Sequence, residues 1–253
     1  MTDRTGRVVV VTGAGRGIGA AIAERLSSDG YHVVAVDLDG DAATRVADRV
    51  GGRSFQLDVT DKDAAARMAA ELPRVDALVN NAGIFPPAAI ADVDPDQFRL
   101  VMDVNVLGPL VMTQVLLPRL TEAAGAAIVN VASIAAKLPT PGTAAYSPSK
   151  AAIVSLTKLC AVELADRGIR VNAIAPGGVA TEGTSGVSAD PEREARFNAL
   201  IPAGRRAQPD DIADAVPFFL GTDSRYVTGQ VLYVDGGLSE GTINYLRAAQ
   251  SGH

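Results

Sequence analysis

The sequence contains little histidine and little cysteine, with two histidines and one cysteine among its 253 residues. A single cysteine, Cys160, cannot form an intrachain disulfide. His32 stands at the start of an apolar run and His253 at the last position, so the two provide neither a zinc-binding pair nor the histidine of a Ser-His-Asp triad. We therefore expect no metal site, and an enzyme built from this chain must move protons through other side chains.

Positive charge and long apolar runs are also scarce. The formal net charge is −6, which provides no long-range attraction for nucleic acid or for anionic lipid. The only early apolar run, at residues 8–11, is too short for a signal peptide or a membrane span. We therefore expect a cytoplasmic protein that binds neither nucleic acid nor membranes.

Seven short apolar runs alternate with stretches of helical periodicity, and 47% of the residues are hydrophobic, enough for one large core. The run at residues 8–11 is unbroken, which is typical of a parallel strand covered on both faces. Helical spacing of apolar residues is found at 17–29, 61–72, 95–120 and 151–166. The pattern predicts one α/β domain over residues 1–253, a Rossmann-type doubly wound parallel sheet of about seven strands with helices on both faces.

A glycine-rich turn, TGAGRGIG at residues 12–19, follows the first predicted strand. Gly13, Gly17 and Gly19 let the backbone approach a pyrophosphate at the start of a helix, where free N–H groups favour an anion. Asp37 ends the second predicted strand, and its carboxylate can accept hydrogen bonds from adenosine ribose hydroxyls. Taken singly, these features are also typical of an ordinary turn and a solvated loop acid. Their order along the chain predicts a dinucleotide site.

Tyr146 and Lys150 are four residues apart in AAYSPSKAA, at residues 144–152. Positions i and i+4 share a helix face, and Pro148 is tolerated only within the first turn, so we expect the pair at a helix start. An ammonium ~4 Å from the phenol is worth ~4 kcal/mol at an effective dielectric of ~20, which predicts a Tyr146 pKa of ~7. Such a phenol can protonate a carbonyl oxygen or deprotonate an alcohol. Ser133, at the end of the preceding predicted strand, can offer its hydroxyl to the same substrate oxygen.

In this order the motifs resemble those of the short-chain dehydrogenase/reductase family, from about residue 7 to residue 237. TGAGRGIG resembles the nucleotide-binding turn, LDVT (57–60) the adenine contact, and NNAG (80–83) the ribose-side loop. YSPSK resembles the family's Y-x-x-x-K, and APGGVAT (175–181) the stretch beside the nicotinamide. The chain departs from the family pattern at Glu182, where proline or aspartate is more usual, and in the extension at 238–253. We expect the first departure to affect lid contacts and the second to affect subunit contacts.

The resemblance implies a role for each residue of the site. Tyr146 is the general acid or base, and Lys150 lowers its pKa and holds the nicotinamide ribose. Ser133 orients the substrate oxygen, Asn105 within DVN holds a water in a proton relay, and the bound cofactor carries the hydride. The implied cofactor-binding residues are Gly13, Arg16, Gly17, Ile18, Gly19, Asp37, Leu38, Asp58, Val59, Asn81, Ala82, Gly83, Tyr146, Lys150, Pro176, Gly177, Val179 and Thr181. Cys160 and Met102 are assigned to packing.

The implied reaction interconverts a ketone and a secondary alcohol on a small-molecule substrate. The residues expected to line the substrate pocket are mostly apolar, which favours an alkyl, acyl or ring ketone over a sugar. They are Ile84, Phe85, Pro86, Ile134, Leu138 and Pro139. An NADPH-dependent 3-oxoacyl-thioester reductase, a polyol dehydrogenase and a non-catalytic nucleotide-binding sensor on the same fold stay open as alternatives.

Two residues bear on the choice between NAD and NADP. Asp37 favours NAD over NADP, because a 2′-phosphate within ~4 Å of its carboxylate costs on the order of 4 kcal/mol at an effective dielectric of ~20. Arg16 nearby can, however, accommodate that phosphate.

Predicted helices at 95–120 and 151–164 carry apolar residues on more than one face, and the resemblance implies that they pair in a homotetramer. Residues 178–208 are expected to form a lid that closes over the substrate.

Overall fold

Seven parallel strands form one sheet in the computed structural model, which describes residues 6–181 and 191–241. The strand order is β3-β2-β1-β4-β5-β6-β7, so the chain reverses direction across the sheet between β1 and β4. The strands are β1 Val8–Thr12, β2 His32–Asp37, β3 Arg53–Gln56, β4 Ala77–Asn80, β5 Ala127–Val131, β6 Arg170–Pro176 and β7 Val231–Val234. The predicted doubly wound sheet of seven strands is confirmed, and its reversal point is where such folds bind ligands.

Helices cover both faces of this sheet. They are α1 Gly17–Ser28, α2 Gly40–Val50, α3 Lys62–Ala70, α4 Pro95–Met102, α5 Gly108–Glu122, α6 Tyr146–Glu163, α7 Pro191–Asn198, α8 Pro209–Ala213 and α9 Val216–Leu220. Helix α2 was not expected from the sequence, because its apolar positions are mostly alanine. It begins at a clear signal, since the Asp39 side chain accepts a hydrogen bond from the Ala42 N–H and so caps the first turn.

The unbroken valine run of β1 supplies two separate cores. Val9 and Val11 point to the face covered by α1, α2, α8 and α9, whereas Val10 points to the face covered by α3, α5 and α6. All three valines are fully buried. Because successive side chains of a strand alternate between faces, only a strand with helices on both sides needs apolar residues at every position.

Residues Pro95–Glu122 form one continuous helical stretch in which the π-helical turn Asp103–Leu107 joins α4 to α5. Among the described residues, this stretch alone is long and apolar enough to cross a membrane by length and composition, a test that core helices also pass. Its α5 half buries Met112, Leu116 and Leu120 against the sheet. Leu100 and Leu107 remain exposed, which agrees with the prediction that the helix is apolar on more than one face.

Candidate active site

The glycine turn between β1 and α1 is closely packed against the loop that follows β4. A Cβ atom on Gly19 would lie 2.0 Å from the backbone oxygen of Gly13, so no side chain fits there. Gly13 has a φ of +62°, in the left-handed region that glycine adopts most easily. The amide of Asn81 donates to the backbone oxygens of both Thr12 and Gly13, each at 3.0 Å. These contacts hold two loops together at the reversal point of the sheet.

Asp37 lies at the carboxyl end of β2 and is fixed by two backbone groups. Its Oδ2 atom accepts a hydrogen bond of 2.8 Å from the Gly15 N–H, and its Oδ1 atom accepts one of 3.0 Å from the Asp39 N–H. The carboxylate therefore stands directly beside the glycine turn with its orientation set by the protein. The Arg16 side chain is exposed on the same turn.

One cavity of about 920 Å³ runs along the carboxyl ends of the strands from the glycine turn to Tyr146. All eighteen residues that the sequence implied for cofactor binding line it, as do Ser133, Ile84, Phe85 and Pro86. Glycines that leave no room for side chains lie at one end of the cavity, beside the Asp37 carboxylate, which can accept hydrogen bonds from ribose hydroxyls. Tyr146 and Lys150 lie at the other end. These features fit a nicotinamide dinucleotide.

Six lining residues were missed by the sequence reasoning, and they are Leu57, Gln97, Leu100, Val104, Val131 and Ala132. Gln97, Leu100 and Val104 follow the spacing i, i+3, i+7, which was the available signal for one face of the helical stretch Pro95–Glu122 turned to the cavity.

The expectation that Ile134, Leu138 and Pro139 line the cavity is wrong, since none of them is among the lining residues. The hydroxyl of Ser133 accepts a hydrogen bond of 3.1 Å from the Ala135 N–H and so caps the 3₁₀ turn Ile134–Ala136. Leu138 and Pro139 follow this turn, and Pro139 is exposed.

Tyr146 and Lys150 lie at the start of α6, as predicted. The Lys150 side chain is buried, and its Nζ atom donates a hydrogen bond of 2.8 Å to the backbone oxygen of Val131. The same atom lies 5.6 Å from the centre of the Tyr146 ring. Burial lowers the pKa of Lys150 to about 8.

When only the protein's own groups act on Tyr146, the prediction that Lys150 brings its pKa to ~7 is wrong. Burial raises the pKa of Tyr146 above its ordinary value, and a hydrogen bond with the Ser133 side chain lowers it by a smaller amount. The desolvation of the phenolate is the largest contribution, and the Phe85 ring, packed edge-on with its centre 4.6 Å from that of Tyr146, covers part of the phenol ring. The phenol is therefore a proton donor at neutral pH.

Asn105 lies in the π-helical turn and is buried behind the cavity wall. Its Oδ1 atom accepts a hydrogen bond of 2.8 Å from the Ile84 N–H, and its Nδ2 atom donates to the Ile84 oxygen at 3.0 Å. The second Nδ2 hydrogen is directed to the hydroxyl of Ser149, also at 3.0 Å. In this structure the Asn105 side chain fixes the segment after β4, and its water-holding role stays a prediction.

The predicted lid at 178–208 is described only in part, because residues 182–190 lie outside the described ranges. Helix α7 is attached to the body of the protein through Phe197. A Cβ atom on Gly178 would lie 2.6 Å from the Phe197 ring, and the Arg206 guanidinium lies 4.6 Å from the centre of that ring. The buried Arg206 is also 3.4 Å from the Glu194 carboxylate. Closure over a substrate stays a prediction.

Comparison with known proteins identifies the family. The model of the family described as enoyl-(acyl carrier protein) reductase matches residues 13–239. D-threitol dehydrogenase of Mycolicibacterium smegmatis is 39% identical over 92% of each chain, and 3-oxoacyl-[acyl-carrier-protein] reductase of Thermotoga maritima is 37% identical over 92% of this chain and 98% of its own. The chain belongs to the short-chain dehydrogenase/reductase family. As a short-chain dehydrogenase/reductase, it is an oxidoreductase that acts on CH–OH groups with a nicotinamide dinucleotide.

A solved structure of another short-chain dehydrogenase/reductase is also similar to the chain. It is a protein from Beutenbergia cavernae, provisionally assigned as an NAD(P)-dependent gluconate 5-dehydrogenase and solved with NADP at low occupancy. The two chains are 41% identical, with a TM-score of 0.87 and coverage of 92% of this chain and 97% of the other. That protein was solved with NADP, whereas Asp37 in this sequence favours NAD.

Proposed function

We propose that the protein interconverts a ketone and a secondary alcohol with NAD(H), and that Tyr146 is the general acid and base. The observation that carries this proposal is the convergence of Tyr146, Ser133 and Lys150 at one end of the cavity whose other end holds the glycine turn and Asp37. A non-catalytic nucleotide sensor does not require a buried lysine, a tyrosine and a serine together on the cavity wall.

Each residue has a role that follows from its position. The Tyr146 phenol, protonated at neutral pH, gives its proton to a carbonyl oxygen during reduction, and its phenolate takes a proton from an alcohol during oxidation. Ser133, which lines the same end of the cavity as that phenol, orients the same substrate oxygen. Lys150 holds the nicotinamide ribose, and its buried charge favours the phenolate when the proton leaves. The nicotinamide accepts or supplies the hydride when it is bound.

The preference for NAD(H) is supported by Asp37. Two backbone hydrogen bonds hold its carboxylate beside the glycine turn, so the group cannot turn away from a 2′-phosphate without losing both. A second negative charge within ~4 Å costs on the order of 4 kcal/mol at an effective dielectric of ~20. The exposed Arg16 offsets only part of this cost, because ion pairs in solvent are usually worth less than ~1 kcal/mol.

The substrate is proposed to be a small ketone or secondary alcohol with an apolar body. Ile84, Phe85, Pro86, Leu100 and Val104 supply an apolar wall to the cavity. A second candidate, a polyol dehydrogenase, is favoured by Gln97, which lines the same cavity and has an amide that can hydrogen-bond to a second hydroxyl.

We also propose that the protein is a homotetramer. The exposed apolar residues Leu107, Leu159 and Val162 lie on the long helical stretches that the sequence predicted to pair. A helix that is apolar beyond the face it packs on its own sheet needs a further partner.

The decisive experiment is a substrate screen with both cofactors. Aliphatic 2-ketones, cyclic ketones, a 3-oxoacyl thioester and four-carbon polyols are tested with NAD(H) and with NADP(H), for the wild type and for Tyr146→Phe. We expect turnover of a ketone or secondary alcohol by the wild type and a fall of about a thousandfold or more in kcat for Tyr146→Phe, with NADH affinity nearly unchanged. NADH binding without turnover of any compound would favour the sensor, and turnover of the thioester with NADPH alone would favour the reductase.

A further inference from the structure

Ser149 lies between Tyr146 and Lys150 on α6, and neither the sequence motif nor the proposed mechanism uses it. It is fully buried, and its hydroxyl makes two hydrogen bonds. The hydroxyl donates to the backbone oxygen of Tyr146 at 2.7 Å, and it accepts from the Nδ2 atom of Asn105 at 3.0 Å. Ser149 is therefore the contact between the helix that carries the acid-base residue and the π-helical turn.

The direction of these hydrogen bonds is set by the number of protons available. A serine hydroxyl has one proton, and here it is used on the Tyr146 oxygen, so Ser149 can only accept from Asn105. The Asn105 amide must then turn its nitrogen towards Ser149, which leaves its oxygen facing the Ile84 N–H. Ser149 thus favours the same orientation of the Asn105 amide as the two contacts with Ile84 do.

The chosen orientation holds the segment after β4 in place. Asn105 contacts both the N–H and the oxygen of Ile84, and the next residue, Phe85, packs its ring 4.6 Å from the ring of Tyr146. The segment has little room to shift, since a Cβ atom on Gly83 would lie 3.1 Å from Asn105 Oδ1 and 3.5 Å from Lys150 Nζ. The contacts form a closed circuit from the Tyr146 backbone through Ser149, Asn105 and Ile84 back to the Tyr146 ring.

We propose that Ser149 is a positioning residue of the active site, which sets the orientation of the Tyr146 phenol through Asn105 and the segment that carries Phe85. The inference rests on the proposed role of Tyr146 as general acid and base. A serine hydroxyl bonded to a carbonyl one turn earlier is common in helices and by itself has no functional meaning. The bond from Asn105 is different, because without Ser149 a buried N–H of Asn105 loses its acceptor and the amide is held by its contacts with Ile84 alone.

Ser147 supplies a matched control. It is buried on the first turn of the same helix, and its hydroxyl lies 2.7 Å from that of Thr143, outside the circuit. Ser147→Ala and Ser149→Ala each remove one buried hydroxyl hydrogen-bonded within the protein. Only Ser149→Ala should affect the segment after β4.

The test compares the two variants by amide hydrogen exchange and by kinetics on the best substrate of the screen. For Ser149→Ala we expect protection of the Ile84 amide to fall about tenfold or more, and kcat to fall about tenfold while the KM for NADH changes less than about twofold. Ser147→Ala should leave all three quantities within about twofold of the wild type. If Ser149→Ala does not fold, Ser149→Cys takes its place with the same expectations, because a thiol is a weak donor and acceptor.

The outcomes separate this inference from the proposed function. If Tyr146→Phe is inactive but Ser149→Ala behaves like Ser147→Ala, the positioning role of Ser149 is overturned and the role of Tyr146 stands. Loss of Ile84 protection without a fall in kcat would also overturn it, since Ser149 would then serve the fold alone. Wild-type kcat in Tyr146→Phe would instead overturn the proposed function, and with it the positioning role.

Discussion

The ammonium of Lys150 lies 5.6 Å from the centre of the Tyr146 ring and donates its hydrogen bond to the backbone oxygen of Val131. The lysine is thus held close to Tyr146, the proposed general acid and base, by a strand of the sheet. Its pKa is lowered to about 8 by burial, while burial raises the pKa of Tyr146. Both groups titrate away from their ordinary values in the direction that favours the neutral form.

The raised pKa of Tyr146 predicts opposite pH profiles for the two directions of the reaction. Reduction needs the protonated phenol, so its kcat/KM should be flat near neutral pH and fall in alkaline solution. Oxidation needs the phenolate, so its kcat/KM should rise by up to about tenfold per pH unit towards alkaline pH. Initial rates in both directions across this range test the prediction. An oxidation rate that reaches its plateau at about pH 7 would contradict the raised pKa and support the expectation that Lys150 lowers the pKa of Tyr146 to ~7.

The lowered pKa of Lys150 makes the stability of the fold depend on pH. In the folded protein this lysine loses its proton near pH 8, whereas in the unfolded chain it keeps the proton up to its ordinary pKa of 10.5. Because the unfolded state binds more protons between these values, the wild type gains stability relative to Lys150→Met as the pH rises. We expect the difference in the free energy of unfolding to change by about 2 to 3 kcal/mol between about pH 7 and pH 10.

Urea denaturation of both proteins at the two pH values measures this difference. Lys158→Met removes an exposed lysine from the same helix, and its difference from the wild type should stay within about 0.5 kcal/mol. A Lys150→Met difference as flat as that of Lys158→Met would contradict a buried, destabilised ammonium.

The fixed carboxylate of Asp37 predicts the cofactor preference. The wild type should show a kcat/KM at least about tenfold higher with NAD(H) than with NADP(H), equivalent to about 1.4 kcal/mol, and Asp37→Ala should narrow or reverse that ratio. Asp41→Ala removes an exposed acid from the first turn of α2 and should leave the ratio unchanged. Equal or better efficiency of the wild type with NADP(H), as the cofactor bound to the Beutenbergia cavernae protein would suggest, would refute this interpretation.

The exposed apolar residues of α6 predict the assembly. Val162 is 78% exposed and Leu159 is 53% exposed, and we expect both to be covered in a homotetramer. Light scattering of the wild type at micromolar concentration should give the mass of four chains, and the double substitution Leu159→Glu with Val162→Glu should give a smaller assembly. Ile90→Glu, at a residue that is also 78% exposed but lies in the loop after β4, should not change the mass. A monomeric wild type would refute the proposal.

Some features of this protein were predictable from the sequence because they repeat a local pattern. The valine run of β1 indicated a strand covered on both faces, and the order of glycine turn, Asp37 and Tyr146 indicated one cavity at the strand ends. The lining face of Gln97, Leu100 and Val104 was also readable in principle, since it follows helical spacing.

Other features depended on distances that the sequence does not contain. The pKa of Tyr146 was predicted in the wrong direction, because the spacing of Tyr146 and Lys150 indicates proximity but not how much water the fold removes from the phenol. The expectation that Ile134, Leu138 and Pro139 line the cavity was wrong for a similar reason. These residues lie in and after a short 3₁₀ turn capped by Ser133, and apolar composition alone does not show which residues near such a turn reach the cavity.

The π-helical turn Asp103–Leu107 changes the rotation of α5 relative to α4 within one long helical stretch. A π turn contains one residue more than the α-helical turn it replaces, and each residue of an α-helix rotates the chain by about 100°. Deleting one residue from the turn would rotate all of α5 by about this angle relative to α4, and Met112, Leu116 and Leu120 would then leave the core. The extra residue thus allows the first half of the stretch to face the cavity and the second half to face the sheet.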